Sequence, residues 1–190
     1  EIAKCVKKNN ITLQISLDGN EKVHDSFRGK GNFRRSINNI KKFKAFGVDL
    51  RINFLIQKYN LDRIGYIYNL AKKMKIKRIL YIFIAPQGRA YTNRKYCLNQ
   101  KEIKTYLEKI QKIKRNSMDI LITIHDYNTN YHSCFLIDPY GDVISQGYST
   151  DQCNKVGNFL KQDLKSFWNT KNFDQLKHFL QYSYMFNYYM

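Results

Sequence analysis

Apolar positions in the first two thirds of the chain follow two alternating periods. Short, nearly continuous apolar runs predict buried β-strands, and between them apolar residues recur at steps of three and four, which predicts amphipathic helices. The predicted strands are residues 11–17, 48–56, 78–84 and 119–124, and the helical stripes begin at Phe33, Leu61 and Ile103. Strands alternating with helices in this way indicate right-handed βαβ units and a parallel sheet.

The first strand, Ile11–Leu17, is nearly all apolar before Ser16, with Thr12 and Gln14 as exceptions, as a strand covered on both faces would be. Polar residues crowd together where it ends: Ser16, Asp18, Asn20, His24, Asp25 and Arg28. Ligands of parallel α/β folds bind at the carboxyl ends of the strands. Residues 16–28 are therefore predicted to line a binding crevice. The alternative is that Asp18 and Gly19 merely form a turn and that Arg28 is a surface residue.

The pattern changes after His125. Residues 134–147 predict a β-hairpin with its turn at 138–142, and residues 157–170 predict a short amphipathic helix. The aromatic tail from His178 to Met190 fits a buried closing helix better than an oligomer contact or a truncated end. We therefore expect two parts: residues 1–126 with the βα units and residues 127–190 as a small α+β extension.

Charge and cysteine content narrow the function classes. The formal net charge is +18, but the lysines are scattered along predicted helices, where charge usually marks the solvated face. Without groove-reading or stacking motifs, nucleic-acid binding is not favoured. No apolar run is long enough to span a bilayer, so no membrane partner is expected. The four cysteines form no CxxC pair, which favours a reduced, cytoplasmic setting.

With these parts in order, the chain resembles the radical S-adenosylmethionine enzymes, in particular those with a SPASM or twitch-type C-terminal extension. Single motifs such as SLDG are weak evidence, but the matches occur in order along nearly the whole chain. They are SLDGNEKVHDSFRGKGNF (16–33), INNIKKFKAFGVDLRIN (37–53), YNLDRI (59–64), APQGRA (85–90), IDPYGDV (137–143), GN-L (157–160) and FWN (167–169).

The resemblance implies the C-terminal half of a partial (β/α)6 TIM-like barrel with parallel strands, followed by the reduced α+β extension. In this family a CxxxCxxC loop holds a 4Fe–4S cluster that binds S-adenosylmethionine. Reductive cleavage of S-adenosylmethionine then gives a deoxyadenosyl radical that abstracts hydrogen from the substrate. The protein positions the cluster and cofactor and excludes side reactions. Relatives with such extensions commonly modify peptides or proteins, so a peptide or protein substrate is the expected partner; the oligomeric state is left open.

The resemblance also assigns cofactor contacts. Ser16 matches a serine near the ribose and methionine part of the cofactor, and Arg28 matches an arginine that could grip the methionine carboxylate. Asn53 matches a polar strand position near the cofactor, although it could simply bond a neighbouring loop. Ile84 and Pro86 match the positions where relatives pack the adenine of the cofactor (the adenine wall), although an apolar strand end is more often ordinary core.

Neighbouring polar residues invite an acid–base interpretation, which the sequence does not favour. Asp18 is expected to shape the turn, and His24 and Asp25 to cap or orient the loop before the next helix. No serine–histidine–aspartate order or HExxH spacing supports a hydrolase.

The departures from the family are equally informative. The chain contains no CxxxCxxC, and its first residues resemble the helix before the family's fourth strand, so we expect the C-terminal portion of a longer enzyme, inactive by itself. Only Cys134 and Cys153 lie near the hairpin, and Ser145 stands where relatives often have cysteine, so no auxiliary cluster is expected. Two alternatives stay open: a cluster-less relative that binds a peptide or partner, and a basic nucleic-acid-binding module.

Overall fold

The computed structural model describes residues 1–85, 89–126, 135–145 and 154–163. The helices are α1 (Ile2–Lys8), α2 (Glu21–Arg28), α3 (Asn32–Ala45), α4 (Ile64–Lys73), α5 (Arg89–Thr92) and α6 (Gln100–Arg115). The strands are β1 (Leu13–Ser16), β2 (Leu50–Ile56), β3 (Arg78–Phe83), β4 (Leu121–His125), β5 (Phe135–Ile137), β6 (Asp142–Ser145) and β7 (Asn154–Asn158). Short 3-10 turns cover Leu61–Arg63 and Arg94–Tyr96.

The described part of the chain forms two compact units. The first comprises Glu1–Ile84 and Lys95–His125, and the second takes in Ala85–Arg94 and the described residues from Asp126 onward. In the first unit β1, β2, β3 and β4 pair in chain order, all parallel. A helix precedes each strand, which confirms the predicted α/β class and fits a portion of a TIM-like barrel.

The two faces of the parallel sheet differ in burial. Along β2 the side chains on one face are buried, while those on the other face, Arg51, Asn53 and Leu55, are only half-buried. The buried set is Leu50, Ile52, Phe54 and Ile56. The expectation that the first strand is covered on both faces is wrong, since Gln14 is exposed and Ser16 half-buried. The reason is that β1 is the edge of the described sheet and has a neighbour on one side only.

Helix α2 was not anticipated, because residues 16–28 resembled a polar loop. The helix begins after Asn20, whose side chain accepts a hydrogen bond from the Val23 amide at 3.1 Å. It has only two apolar residues, Val23 and Phe27, so it lacks the longer apolar stripe by which the other helices are identified. The predicted crevice edge is therefore a short loop followed by two turns of capped helix.

The second unit contains a three-stranded antiparallel sheet in the order β5, β6, β7. The predicted hairpin is confirmed: the Asp138 carboxylate accepts bonds from the amides of Tyr140 and Asp142, at 2.8 and 2.9 Å, across the turn. The helix predicted from residue 157 is wrong at its start, because Gly157 and Asn158 belong to β7 and pair with Val143 and Asp142. Residues 164–170 and the aromatic tail lie outside the described residues.

No helix in the described ranges combines the length and apolar content that crossing a bilayer requires.

We expect the buried face of the sheet to carry most of the stability of the first unit. Phe54 is fully buried and meets the Tyr81 ring edge-on at 5.8 Å. Replacing it with alanine should lower the free energy of unfolding by about 3–5 kcal/mol, because the change leaves a cavity. The measurement is chemical denaturation followed by circular dichroism. The matched control is Phe46→Ala at a 52% exposed position, where the change should stay below about 0.5 kcal/mol; equal losses would contradict this assignment of the core.

Candidate cofactor-binding site

Polar side chains line the half-buried face of the parallel sheet. Ser16 and Asn53 are register partners across β1 and β2, and the same row continues through Leu80 to Thr123. Successive residues of a strand point to opposite faces, so residues in one row share a face. Two of the three predicted polar contacts, Ser16 and Asn53, therefore lie side by side.

The Asn53 carboxamide is only half satisfied. Its Nδ2 donates to Gln14 Oε1 at 2.8 Å, while its Oδ1 is buried and has no partner in the described part of the chain. Nothing among the described residues bonds the neighbouring Ser16 hydroxyl either. A buried acceptor without a partner costs about 1–3 kcal/mol. This face thus offers an unpaired acceptor and a hydroxyl to a polar ligand.

The carboxylate of Asp18 connects three parts of the site. It is fully buried, and it accepts a hydrogen bond from Arg28 Nε at 2.6 Å and from the Leu55 amide at 3.1 Å. Asp18 follows Ser16 by two residues, and Leu55 follows Asn53 by two. The carboxylate therefore holds the end of α2 against the carboxyl ends of β1 and β2.

Arg28 is fixed at one end of its guanidinium group. Only Nε bonds Asp18, and its two Nη atoms have no hydrogen-bond partner among the described residues. The side chain is 40% exposed, so these nitrogens can reach a ligand. Two parallel N–H donors match the geometry of a carboxylate. The structure thus brings Arg28 to the same end of the sheet as the row of Ser16 and Asn53.

Asn60 also holds the segments around Asp18 and Leu55 in place. The sequence did not single out this residue. Its Nδ2 donates to the carbonyls of Asp18 and Leu55, at 3.2 and 2.8 Å, and its Oδ1 accepts from the Gln57 amide at 2.8 Å. All its polar atoms serve main-chain groups, so the role of Asn60 is structural. In the sequence, the signal for this role was limited to an asparagine just before Leu61, within YNLDRI (59–64).

His24 and Asp25 orient the loops around Asp18, as predicted. His24 is buried, and its Nδ1 accepts a bond from the Asp18 amide at 3.1 Å. Burial lowers the pKa of His24, with Arg28 adding to the effect and Asp18 and Asp25 opposing it. Asp25 accepts bonds from the amides of Phe33 and Gly31, both at 2.7 Å, and these bonds lower its pKa. Both side chains are committed to main-chain groups, which argues against an acid–base role.

The predicted adenine wall is described only in part. Ile84 is half-buried, and its amide donates to the Ile56 carbonyl at 3.1 Å, which extends the β2–β3 ladder by one residue. Ile84 therefore lies at the carboxyl end of the sheet. Pro86 lies outside the described residues.

An aromatic cluster packs against α2 on the side of Arg28. Phe27 stacks on Tyr59 with ring centroids 4.5 Å apart, and Tyr96 meets both rings edge-on at 5.3 and 5.9 Å. Burial and the nearby Asp18 raise the pKa of Tyr59, so its hydroxyl remains neutral at physiological pH. The cluster gives the helix that carries Arg28 a second, apolar attachment to the unit.

The described residues do not fit an iron–sulfur cluster. No group of three or more histidine, cysteine, aspartate or glutamate side chains in the described ranges could hold a metal ion. Cys5 is exposed and Cys97 is half-buried. A 4Fe–4S cluster needs several thiolates brought together. Cys134 and Cys153 lie outside the described residues.

The first unit is thus a parallel α/β unit with a polar edge at the carboxyl ends of its strands. No protein-family model matches the sequence. The cysteine-type anaerobic sulfatase-maturating enzyme of Clostridium novyi is 32% identical over 113 residues, 57% of this chain and 30% of that protein. The AdoMet-dependent heme synthase of Methanosarcina barkeri is 25% identical over 196 residues, 87% of this chain and 55% of that protein.

Solved structures agree on the fold. Native anSMEcpe with bound AdoMet superposes with a TM-score of 0.68 at 16% identity, over 89% of this chain and 53% of that one. Streptococcus suis SuiB bound to its precursor peptide SuiA gives a TM-score of 0.63 at 17% identity, over 85% and 42% of the respective chains. Together with the sequence relatives, these findings confirm the predicted resemblance and indicate the radical S-adenosylmethionine superfamily. The chain spans about half or less of the length of these relatives.

We expect the Asp18 carboxylate to contribute directly to stability. In Asp18→Asn the side chain has one acceptor oxygen, so either Arg28 Nε or the Leu55 amide loses its partner. The free energy of unfolding should fall by about 2 kcal/mol, measured by chemical denaturation. Asp62→Asn is the control, because Asp62 is 64% exposed and pairs only with Arg63 at 3.0 Å; its effect should stay below about 0.5 kcal/mol. An equally small effect of Asp18→Asn would contradict the proposed support.

The buried His24 should make stability depend on pH. Its pKa in the folded state lies below the ordinary 6.5, so below that pH the unfolded chain binds a proton more readily than the folded one. The unfolding free energy should therefore fall as the pH drops from 7 to 5. Asp25 contributes only at lower pH, because its pKa is already below its ordinary 3.8.

The variant His24→Asn isolates this contribution. Its Oδ1 can take the place of Nδ1 as acceptor for the Asp18 amide, but it does not titrate. Denaturation curves at pH 7, 6 and 5 should show a smaller pH dependence for His24→Asn than for the parent chain. Identical pH dependences would show that His24 does not titrate below its ordinary value in the folded state.

Proposed function

We propose that this chain is the C-terminal portion of a radical S-adenosylmethionine enzyme and that its polar sheet edge binds S-adenosylmethionine. The observation that carries the proposal is the arrangement of Arg28. Asp18 fixes its Nε, its Nη atoms have no partner in the described residues, and the row of Ser16 and Asn53 lies at the same end of the sheet.

Each residue of this edge suits a different part of the ligand. The two Nη atoms of Arg28 form a fork for the methionine carboxylate. The Ser16 hydroxyl can donate to or accept from a ribose hydroxyl, and the unpaired Asn53 Oδ1 accepts from a ligand donor. Ile84 and Pro86 would provide the apolar contact for adenine. When bound and reductively cleaved, S-adenosylmethionine supplies the deoxyadenosyl radical that abstracts hydrogen.

The 4Fe–4S cluster would be held by residues outside this chain, since the described residues offer no ligand set. Residues 1–126 would then contribute the later βα units of the barrel, and residues 127–190 a reduced extension without an auxiliary cluster. The substrate class we propose is a peptide or protein. Support comes from SuiB bound to its precursor peptide and anSMEcpe bound to the Kp18Cys peptide.

A second candidate function is a cluster-less relative that binds a peptide or partner without catalysis. The observation that favours it is the lack of a cluster ligand set in the described part of the chain. Sequencing the gene upstream of the codon for Glu1 separates the two candidates. A CxxxCxxC motif there, followed by deoxyadenosine formation from S-adenosylmethionine after anaerobic reconstitution, supports the enzyme. An upstream region without three such cysteines excludes it.

We expect Arg28 to be needed for cofactor affinity. In the full-length protein Arg28→Gln should weaken S-adenosylmethionine binding about 10-fold or more, because a charge-assisted fork to a carboxylate is lost. Equilibrium dialysis with radiolabelled S-adenosylmethionine measures the effect. Arg34→Gln is the matched control, since Arg34 is 77% exposed and pairs with Glu21. Equal affinity in the parent, Arg28→Gln and Arg34→Gln would remove Arg28 from the site.

A further inference from the structure

An open groove lies between α3 and α4 of the first unit. Both helices pack against β2, and each precedes a strand of the same parallel sheet, so they run side by side in the same direction. The groove has a volume of about 660 Å³ and is lined by residues of both helices. A volume of this size is typical of ligand-binding clefts, about 300–1,000 Å³.

One half of the groove is apolar. Phe33 and Ile37 lie one turn apart on α3, and Tyr66 and Leu70 lie one turn apart on α4. All four side chains are half-buried, so they form a floor that water still reaches. Apolar residues at this spacing on two parallel helices match the apolar face of a third helix packed between them.

The other half of the groove is lined by three lysines, Lys41, Lys44 and Lys73, together with Ala45 and Met74. Lys41 and Lys73 line it one turn beyond the apolar residues, and neither has a carboxylate partner in the described part of the chain. Among the described residues, no acidic side chain lines the groove. Lysines near a helix C-terminus complement the helix dipole. Lys42 and Lys72, which lie outside the groove, can also complement the dipoles of α3 and α4. The helix dipole therefore does not explain why Lys41 and Lys73 lie beside the apolar residues of the groove.

We propose that the α3–α4 groove docks an acidic, amphipathic peptide segment of a partner protein. Its apolar residues would cover Phe33, Ile37 and Leu70, and its carboxylates would meet Lys41 and Lys73. Charge complementarity around an apolar floor distinguishes this partner from others. A nucleic acid would leave the aliphatic side chains of the floor, Ile37 and Leu70, uncovered, and a membrane needs apolar side chains that protrude rather than line a groove. This inference does not depend on S-adenosylmethionine binding.

Fluorescence anisotropy with the full chain tests the proposal. The probe is a fluorescein-labelled peptide of about 16 residues, roughly 24 Å as a helix, with leucines along one face and glutamates beside them. A peptide of the same composition in scrambled order is the reference. The ordered peptide should bind at least about 5-fold more tightly than the scrambled one, because only it can bury its leucines while its glutamates reach the lysines.

Charge-reversal variants locate the binding. Lys41→Glu with Lys73→Glu should weaken binding of the ordered peptide about 5-fold or more, while Lys42→Glu with Lys72→Glu should change it less than about 2-fold. The two pairs change the same total charge on the same two helices. Leu70→Ala, with an unchanged circular dichroism spectrum, should also weaken binding. Equal effects of the two lysine pairs, or equal binding of the scrambled peptide, would overturn the proposal and indicate non-specific attraction to a basic surface. Tighter binding of a 16-mer oligonucleotide or of anionic vesicles than of the ordered peptide would also overturn it.

Discussion

The buried carboxylate of Asp18 is the interaction on which the polar sheet edge depends. A carboxylate removed from water is costly unless its oxygens are paired, and here one oxygen takes the Arg28 Nε and the other the Leu55 amide. The backbone of Asp18 is held as well, with its amide donating to His24 and its carbonyl accepting from Asn60. Four separate segments of the first unit therefore meet at one residue.

This convergence explains how a partly exposed arginine can have a defined direction. An exposed arginine side chain samples many rotamers, and ordering it costs conformational entropy. Because Asp18 and the Phe27 cluster restrain the helix that carries Arg28, part of that entropy is lost on folding rather than on ligand binding. The Nη atoms, which have no partner among the described residues, are consequently preorganised. The groups that hold the arginine need not touch a ligand themselves.

The sequence predicted the regular elements well and their tertiary contacts poorly. Strands β1 to β4 and helices α3, α4 and α6 follow from apolar periodicity, because each buries one continuous face. Helix α2 is not predicted by apolar periodicity, since its stability comes from the Asn20 cap and from tertiary contacts rather than from an apolar face. The predicted helix at Gly157 failed for a related reason: pairing with Val143 in the neighbouring strand, a non-local contact, decides the conformation there.

The same limit applies to the site. The resemblance assigned Ser16, Arg28 and Asn53 from motifs, and the register of the sheet then placed Ser16 beside Asn53. No local pattern could assign the partner of Arg28, because Asp18 looks like an ordinary turn residue. The second partner of the Asp18 carboxylate, the Leu55 amide, lies 37 residues further along the chain. Only the folded arrangement shows that Asp18 is the residue that fixes Arg28.

Hydrogen-bonding groups and metal-binding thiolates place different demands on the chain. The polar sheet edge offers hydrogen-bond donors and acceptors, while the described residues offer no set of thiolates for iron. Hydrogen-bonding groups need only be held rigidly by their own unit, and the Asp18 network does this within the first unit. A cluster instead requires several cysteines on one loop or on converging loops. The polar edge can therefore be organised by the first unit alone, and its stability should not depend on iron.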